Sequence, residues 1–384
     1  MTNILLLYES TIPTVEMCIG TFQAFADKYN CAFRSKNISE TCTHDIEDAD
    51  VVISVRGESP LMLGLLEYAG LINKFRIFIL DDDLLNLPKD SFRYPKRKKW
   101  LKLCLEESDV LLTSSQLLAD EYKQYVTTNR AYVIHTSVKE EEIQGINKEV
   151  HDKVRIVYAA SERHIAFFDK YIRPCMKDIV ERYGDKIEFY FVGVMPTFEE
   201  EEIKRRINVI PSMPYEEYIS FMNNAHFDIG LAPLEVNRFT ARKYFNKFIE
   251  YTKEGICGLY SDCMPYKLVV ENGVNGYLVG DNPEDWLSAI EYAIDYPAKR
   301  IECIENAQEL LREKHNPQRI FEQLQIDIPE LTTYKANVSL EEPKLRFKNS
   351  HRMFRIKERC YLTFCSLKKD GINETYKRIK KHIK

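Results

Sequence analysis

Residues 228–276 contain the side chains of this sequence whose types and spacing best suit a phosphorylated ligand. A buried strand is predicted to end at Ala232-Pro233, and a basic run and then a helix carrying Lys247 and Glu250 follow it. The N-terminus of a helix offers unpaired N–H groups and a partial positive charge to an anion, and nearby Lys and Arg side chains add full charges. A carboxylate one turn later can accept hydrogen bonds from ribose or sugar hydroxyls. The segment therefore predicts a site for a ligand with both phosphate and hydroxyl groups.

This segment resembles the donor-binding core of GT-B glycosyltransferases, especially the family 4 type and its relatives with the pattern K-x3-K-F-x-E-Y-x-A-x-G. The pattern is matched by Lys243, Lys247, Phe248, Glu250, Tyr251 and Gly255. The resemblance implies that Glu250 binds the ribose of a nucleotide diphosphate sugar. The cations available for the diphosphate are Arg163, Arg242, Lys243 and Lys247, of which Lys247 is the catalytic candidate. The resemblance also implies retention of the anomeric configuration without a protein nucleophile.

Two features depart from the family pattern. The family 4 motif has two glutamates eight positions apart, and the residue eight positions before Glu250 is Arg242. The resemblance therefore leaves the contact with the donor sugar unassigned. Residues 257 and 258 are Cys-Gly, where Pro-Val is usual.

Three further residues that follow predicted strands are candidates for the donor side. Arg163 comes shortly after a strand at Arg155–Ala159, and a guanidinium can bind phosphate through two hydrogen bonds. A solvated loop is the alternative interpretation. Ser261 and Asp262 lie at the end of a strand at Cys257–Tyr260, where hydroxyl or carboxylate contact with the ligand is expected.

Three adjacent carboxylates, Asp81, Asp82 and Asp83, directly follow a buried strand in the first half. Like charges this close repel one another unless they are solvated, hydrogen-bonded or bound to a metal. As a D-x-D motif, Asp81 and Asp83 would hold a divalent metal on a nucleotide diphosphate. Alternatively, one aspartate orients or deprotonates an acceptor hydroxyl, or the loop simply caps the next segment.

We favour the acceptor role, because residues 242–250 already supply the diphosphate contacts and the resemblance implies no bound metal or other cofactor. Asp82 and Asp83 are then the catalytic candidates, with Asp81 on the acceptor side. Arg56, which follows the strand ending at Val55, also fits the acceptor side, although a capping turn explains it equally well.

Length and composition restrict the class of protein. A chain of 384 residues with 45% apolar content suits two domains and a tail. No apolar run reaches the roughly 18 residues that a membrane span needs, and residues 1–10 lack signal-peptide features, so a cytoplasmic protein is expected. Ten scattered cysteines without C-x-x-C pairs indicate free thiols in a reducing compartment.

Strands and helices alternate through both halves of the chain. Continuous apolar strands are predicted at Ile4–Tyr8, Ala49–Val55, Ile77–Leu80, Val110–Thr113 and Ala131–His135, and the same rhythm restarts at Arg155–Ala159. Asn282-Pro283 and Asn316-Pro317 are typical helix starts. The pattern predicts an α/β protein with parallel sheets covered on both faces.

The expected domains are an acceptor domain at 1–148, a donor domain at 149–325 and a basic helical tail at 326–384 that partly crosses back to the first domain. The resemblance implies the GT-B arrangement, in which two Rossmann-like doubly wound domains face a cleft. Residues 344–384 carry fourteen Lys and Arg residues against three acidic ones, a balance of +11 that leaves −16 for residues 1–343. The acidic body argues against nucleic-acid binding. The tail suits an anionic membrane surface or forms solvated helices.

The sequence predicts a glycosyltransferase that moves a sugar from a nucleotide diphosphate donor to a hydroxyl of a surface glycan or lipid-linked acceptor. Two alternatives stay open: a nucleotide-sugar epimerase of GT-B type, and a non-catalytic partner in glycan assembly. Arg242, in place of the first glutamate, is the sequence feature that favours the second alternative.

Overall fold

The structure is a computed structural model that describes residues 1–87, 93–145, 152–161, 164–336 and 348–382. Its contacts form two compact units. The first unit comprises Met1–His135 and Phe321–Lys384, and the second comprises Thr136–Ile320.

The first unit is built around a parallel sheet. Its strands are β1 (Asn3–Tyr8), β2 (Ala32–Asn37), β3 (Val51–Val55), β4 (Phe75–Leu80), β5 (Val110–Thr113) and β6 (Arg130–Val133). Its helices up to β6 are α1 (Pro13–Tyr29), α2 (Thr43–Glu47), α3 (Pro60–Leu71), α4 (Pro95–Glu106) and α5 (Gln116–Tyr122). The strand order is β2-β1-β3-β4-β5-β6, and every neighbouring pair is parallel.

The second unit repeats this architecture. Its strands are β7 (Val154–Ala159), β8 (Ile187–Val192), β9 (Ile207–Ile210), β10 (Ile229–Ala232), β11 (Cys257–Ser261) and β12 (Tyr277–Val279). Its helices are α6 (Ile165–Tyr171), α7 (Met176–Tyr183), α8 (Glu201–Lys204), α9 (Tyr215–Ala225), α10 (Asn246–Lys253), α11 (Pro283–Asp295) and α12 (Pro297–Lys314). The parallel strand order is β12-β11-β10-β7-β8-β9.

The remaining helices are α13 (Pro317–Asp327), α14 (Glu330–Thr333) and α15 (Lys348–His382), the last interrupted at Gly371, where φ is 75°. From Phe321 onward they belong to the first unit. Phe321 packs edge-on against Phe25, and Arg130 forms an ion pair with Glu330 at 2.6 Å.

Local sequence explains why these elements form. Strand β3 is buried at every position, because a central parallel strand is covered on both faces. Helix α11 begins as predicted: the Asn282 side chain accepts a hydrogen bond from the Asp285 N–H, and Pro283 occupies the first turn. Strand β2 lies outside the predicted strands, because four of the six residues of its sequence AFRSKN are polar and it pairs only with β1 at the edge of the sheet.

The second unit starts before the predicted junction near residue 148. The backbone N–H of Thr136 donates a hydrogen bond to the Tyr244 hydroxyl. The N–H of Val138 donates to the His315 carbonyl, and the N–H of Gln144 donates to the Lys253 carbonyl. These contacts place residues 136–145 in the second unit.

Candidate functional site

The second sheet changes direction between β7 and β10. The chain runs outward from β7 through β8 to β9 and then returns to β10 on the other side of β7. Such a switch point leaves a crevice beyond the carboxyl ends of the two strands, which is where open parallel sheets bind ligands. The segment after β10 leads from this edge into α10, so the first turn of α10, which carries Lys247, lies at the same edge of the sheet.

Lys247 and Glu250 lie one helical turn apart near the N-terminus of α10 and contact each other. The Lys247 ammonium lies 2.9 Å from both carboxylate oxygens of Glu250. Tyr218, on α9, completes the cluster: its hydroxyl donates to Glu250 and accepts from Lys247 at 3.2 Å. We call these three residues the Lys247 cluster.

Burial dominates the electrostatics of this cluster. Loss of hydration lowers the pKa of Lys247 and raises the pKa of Glu250, because burial disfavours the charged form of each. The Glu254 carboxylate raises the pKa of Glu250 further. A ligand anion that replaced Glu250 as the partner of Lys247 would favour the protonated ammonium.

The first turn of α10 supplies further positive potential. Its N-cap residue, Phe245, makes no side-chain capping hydrogen bond, and helix N-termini carry partial positive charge. Lys243 and Arg242 precede it at the end of a short 3-10 turn. The Lys243 ammonium lies 4.8 Å from the centre of the Phe239 ring, and Arg242 donates to the Arg238 carbonyl at 3.0 Å.

The other predicted donor residues have different surroundings. Ser261 is buried, and its hydroxyl accepts a hydrogen bond from the Leu234 N–H at 2.8 Å, which holds the loop after β10. Asp262 is exposed and forms an ion pair with Lys267 at 3.0 Å. Arg163 lies outside the described residues.

Sequence reasoning missed Tyr218 and two glycines that shape the site. Gly230 and Gly258 face each other across β10 and β11. A Cβ atom on Gly230 would lie 2.5 Å from the Tyr251 ring, and one on Gly258 would overlap Tyr260. A side chain at residue 258 would displace this buried tyrosine, which explains why glycine stands at the second of the two positions that depart from the family pattern.

In the first unit, Arg56 brings two of the three predicted aspartates together. Its guanidinium donates two hydrogen bonds to the Asp81 carboxylate and one, at 3.1 Å, to Asp82. Thr14 also donates to Asp81 at 2.6 Å. Burial alone would lower the pKa of Arg56, but the bonds and charge of Asp81 outweigh it and raise that pKa.

Asp83 is placed differently from Asp81 and Asp82. It is buried and accepts hydrogen bonds from the Tyr122 hydroxyl and from the Asn86 amide at 2.9 Å. This placement favours a structural role for Asp83 and leaves the partly exposed Asp82 as the better catalytic candidate.

A second cluster in the first unit was not singled out from the sequence. Glu9 follows β1 and Glu58 follows β3, at the switch point of this sheet. The Glu58 N–H donates to Glu9 at 2.8 Å, and Arg97 of α4 lies 2.5 Å from the Glu58 carboxylate. Burial raises the pKa of Glu9 to about 7 despite the charge of Arg97.

Two further properties concern the described residues alone. Within them, no group of three or more His, Cys, Asp or Glu side chains is arranged to hold a metal ion. No helix in the described ranges is both long enough and apolar enough to span a bilayer.

Comparison with known proteins identifies the fold. No family model matches the chain, and neither does any curated protein sequence. Among solved structures, Anabaena Alr3699/HepE in complex with UDP and glucose matches with a TM-score of 0.60 at 12% identity, over 86% of this chain and 100% of that chain. Sucrose-phosphate synthase from Thermosynechococcus elongatus gives 0.59 at 11% identity, over 86% and 99%.

A third similar structure is a putative UDP-N-acetylglucosamine 2-epimerase from Listeria monocytogenes, with a TM-score of 0.54 at 12% identity, over 89% of this chain and 100% of that chain. Likeness at this level of identity concerns the fold. Together with the two doubly wound parallel sheets, it confirms the architecture predicted from the sequence: the chain has the GT-B fold.

Proposed function

We propose that this protein is a glycosyltransferase that transfers a sugar from a nucleotide diphosphate sugar to a hydroxyl of a glycan or lipid-linked acceptor. The observation that carries the proposal is the position of the Lys247 cluster, at the N-terminus of α10 and at the switch point of a GT-B sheet. Structures of similar fold support it, since Anabaena HepE has been crystallised with UDP and with UDP-glucose.

In this proposal the donor rearranges the Lys247 cluster. The diphosphate takes the place of Glu250 as the partner of Lys247, and Glu250 turns to a ribose hydroxyl. Arg242 and Lys243 add charge from the preceding turn. As the bond to the sugar breaks, negative charge grows on the leaving diphosphate, and these fixed cations stabilise the transition state more than the ground state.

The proposed acceptor side lies in the first unit. Asp82 is partly exposed and is held by Arg56, which also fixes Asp81. A carboxylate in this position can orient an acceptor hydroxyl or accept its proton. Retention of the anomeric configuration, which the family resemblance implies, belongs to the same proposal.

The test compares the ion pair of the proposed site with a similar ion pair on the protein surface. We expect Lys247→Ala and Glu250→Ala each to lower sugar transfer from UDP-glucose, or from whichever nucleotide sugar raises the melting temperature, by about 100-fold or more. Lys299 and Glu302 form a similar i,i+3 pair at 2.7 Å, but on the exposed surface of α12. Lys299→Ala and Glu302→Ala should keep full activity.

Circular dichroism and thermal unfolding would show that the variants are folded. Unchanged turnover in both Lys247→Ala and Glu250→Ala would reject this site. Equal losses in the Lys299 and Glu302 variants would show that the effect is not specific to it.

The similarity to the putative epimerase from Listeria supports one alternative, a nucleotide-sugar epimerase. An epimerase would convert UDP-N-acetylglucosamine without any acceptor. Proton NMR of the nucleotide sugar incubated with the protein alone distinguishes the epimerase from the transferase. Formation of a new epimer favours the epimerase. A donor that stays intact until an acceptor is added favours the transferase.

A further inference from the structure

Helix α15 has an inward face that is already occupied. Phe354 and Glu358 are buried on this face. Tyr94 packs against both Phe354 and Tyr361, with ring centres 5.5 and 5.4 Å apart, and Arg97 donates to Glu358. These residues recur every three or four positions, so one side of α15 is fixed against the first unit.

At 100° per residue, a second apolar stripe lies about 130° around α15 from this inward face. We define the outer stripe as Met353, Ile356, Cys360, Phe364 and Leu367, whose spacing of three and four residues places them on one face. All five side chains are exposed. The relative exposure is 58% for Met353, 56% for Ile356, 65% for Phe364 and 41% for Leu367. From Met353 to Leu367 the stripe is about 21 Å long at 1.5 Å per residue.

Basic side chains border the outer stripe on both edges. At 100° per residue, Lys357 and Lys368 fall on one edge, and Arg352 and Arg359 on the other, and all four are exposed.

We propose that the outer stripe docks on the surface of an anionic phospholipid membrane. Apolar side chains on one face with basic residues at its edges are the pattern of a helix that lies in the membrane interface. Each Lys or Arg near such a surface is attracted by the negative headgroups. The inward face is anchored in the protein, so α15 would lie along the membrane and would not cross it.

A second copy of the chain is a poorer occupant. Packing two outer stripes together would bring the basic edges of one copy against those of the other, and like charges at short distance repel. Anionic headgroups complement the same edges. The inference does not rest on the proposed transfer reaction, because membrane binding is measured without donor or acceptor.

The test is sedimentation of the full chain with vesicles. We expect binding to vesicles of phosphatidylcholine with 30% phosphatidylglycerol, at least tenfold weaker binding to pure phosphatidylcholine, and loss of binding in high salt. The double variant Phe364→Ser with Leu367→Ser should lower the partition coefficient at least tenfold. Lys357→Gln and Lys368→Gln should each lower it about fivefold.

Matched controls lie elsewhere on the surface. Ile326 in α13 and Leu71 in α3 are also highly exposed, so Ile326→Ser and Leu71→Ser should bind like the original chain, as should Lys177→Gln in α7. Because every substituted residue of the outer stripe is exposed, thermal unfolding should not change.

Three outcomes would overturn the proposal. One is absence of binding to the anionic vesicles. Another is equal binding by the outer-stripe variants and the controls. The third is a concentration-dependent dimer, detected by sedimentation velocity and abolished by the Phe364 and Leu367 substitutions, which would assign the outer stripe to a second copy.

Discussion

At the scale of single residues, the Lys247 cluster must be stable without a ligand and must also be able to bind an anion. Charged groups that are partly withdrawn from water are costly unless they are paired, and the half-buried Lys247 and Glu250 provide each other's partner at 2.9 Å. The same pairing keeps both groups beside the N-terminus of α10, where an incoming diphosphate can compete for the ammonium. The cluster therefore provides a site that is stable before the ligand arrives and responsive to an anion.

Donor affinity should depend on pH through this cluster. The pKa of Lys247 is lowered to about 7 and that of Glu250 is raised to about 8. Raising the pH from 6 to 8.5 therefore removes positive charge and adds negative charge, and both changes weaken diphosphate binding. We expect the Kd of UDP-glucose to rise about tenfold across this range, measured by calorimetry.

Lys247→Arg provides the control for this pH profile. A guanidinium stays charged throughout the range, so the part of the pH dependence that comes from residue 247 should disappear. A flat profile for the original chain would contradict the assigned role of Lys247.

Tyr218 should orient Glu250 without contacting the reacting atoms. Tyr218→Phe removes the hydroxyl that donates to Glu250 and accepts from Lys247. We expect the free energy of unfolding to fall by about 1 kcal/mol and the donor KM to rise several-fold with a smaller change in kcat. Tyr292→Phe, at a half-exposed tyrosine of α11, should change neither quantity. An unaltered KM in Tyr218→Phe would remove Tyr218 from the site.

At the scale of elements, two facing glycines let the tyrosines of the second unit pack. Tyr251 reaches from α10 to the sheet and donates to the Leu231 carbonyl at 3.0 Å, which fixes the helix that carries Lys247. Gly230 provides the space for its ring. The position of the site thus depends on a residue that has no side chain.

Gly230→Ala should loosen this attachment. Its Cβ atom would lie 2.5 Å from the Tyr251 ring, so we expect a loss of about 1–3 kcal/mol in the free energy of unfolding, measured in urea. Gly20→Ala is the matched control, since Gly20 lies in α1 with open space around it and alanine favours a helix. That control should gain about 0.5–1 kcal/mol. Equal stability of the two variants would contradict the packing argument.

At the scale of the whole molecule, the end of the chain completes the unit in which the chain began. Arg97 and Glu358 are 261 positions apart and form an ion pair that is largely buried. Burial would raise the pKa of Glu358, but the bond and charge of Arg97 outweigh it and keep the pKa below its usual value. The pair therefore stabilises the first unit above about pH 4.3 and loses this effect as acid protonates Glu358.

Glu358→Gln should destabilise the first unit by about 1.5–3 kcal/mol at neutral pH, because Arg97 loses a charged partner. The thermal shift that a bound nucleotide sugar produces should persist, since the proposed donor residues belong to the second unit. Differential scanning calorimetry with and without UDP-glucose measures both. An unchanged melting profile would show that the pair contributes no stability.

The sequence by itself determined those parts of the molecule that depend on neighbouring residues. Continuous apolar runs marked the buried strands, Asn-Pro pairs marked the starts of α11 and α13, and the spacing of Lys247 and Glu250 placed them one turn apart on a helix. These features follow from the periodicity and capping of local backbone structure, which a short stretch of sequence contains.

Only the tertiary structure decided which distant residues meet. Tyr218 joins Glu250 from another helix, Arg56 reaches Asp81, and Glu358 returns to Arg97. The separation of Asp83 from its two neighbours was also beyond the sequence, since all three carry the same side chain. Such partners are selected by the packing of whole elements, and no local pattern records the partner that a charged or hydroxyl side chain will find across the fold.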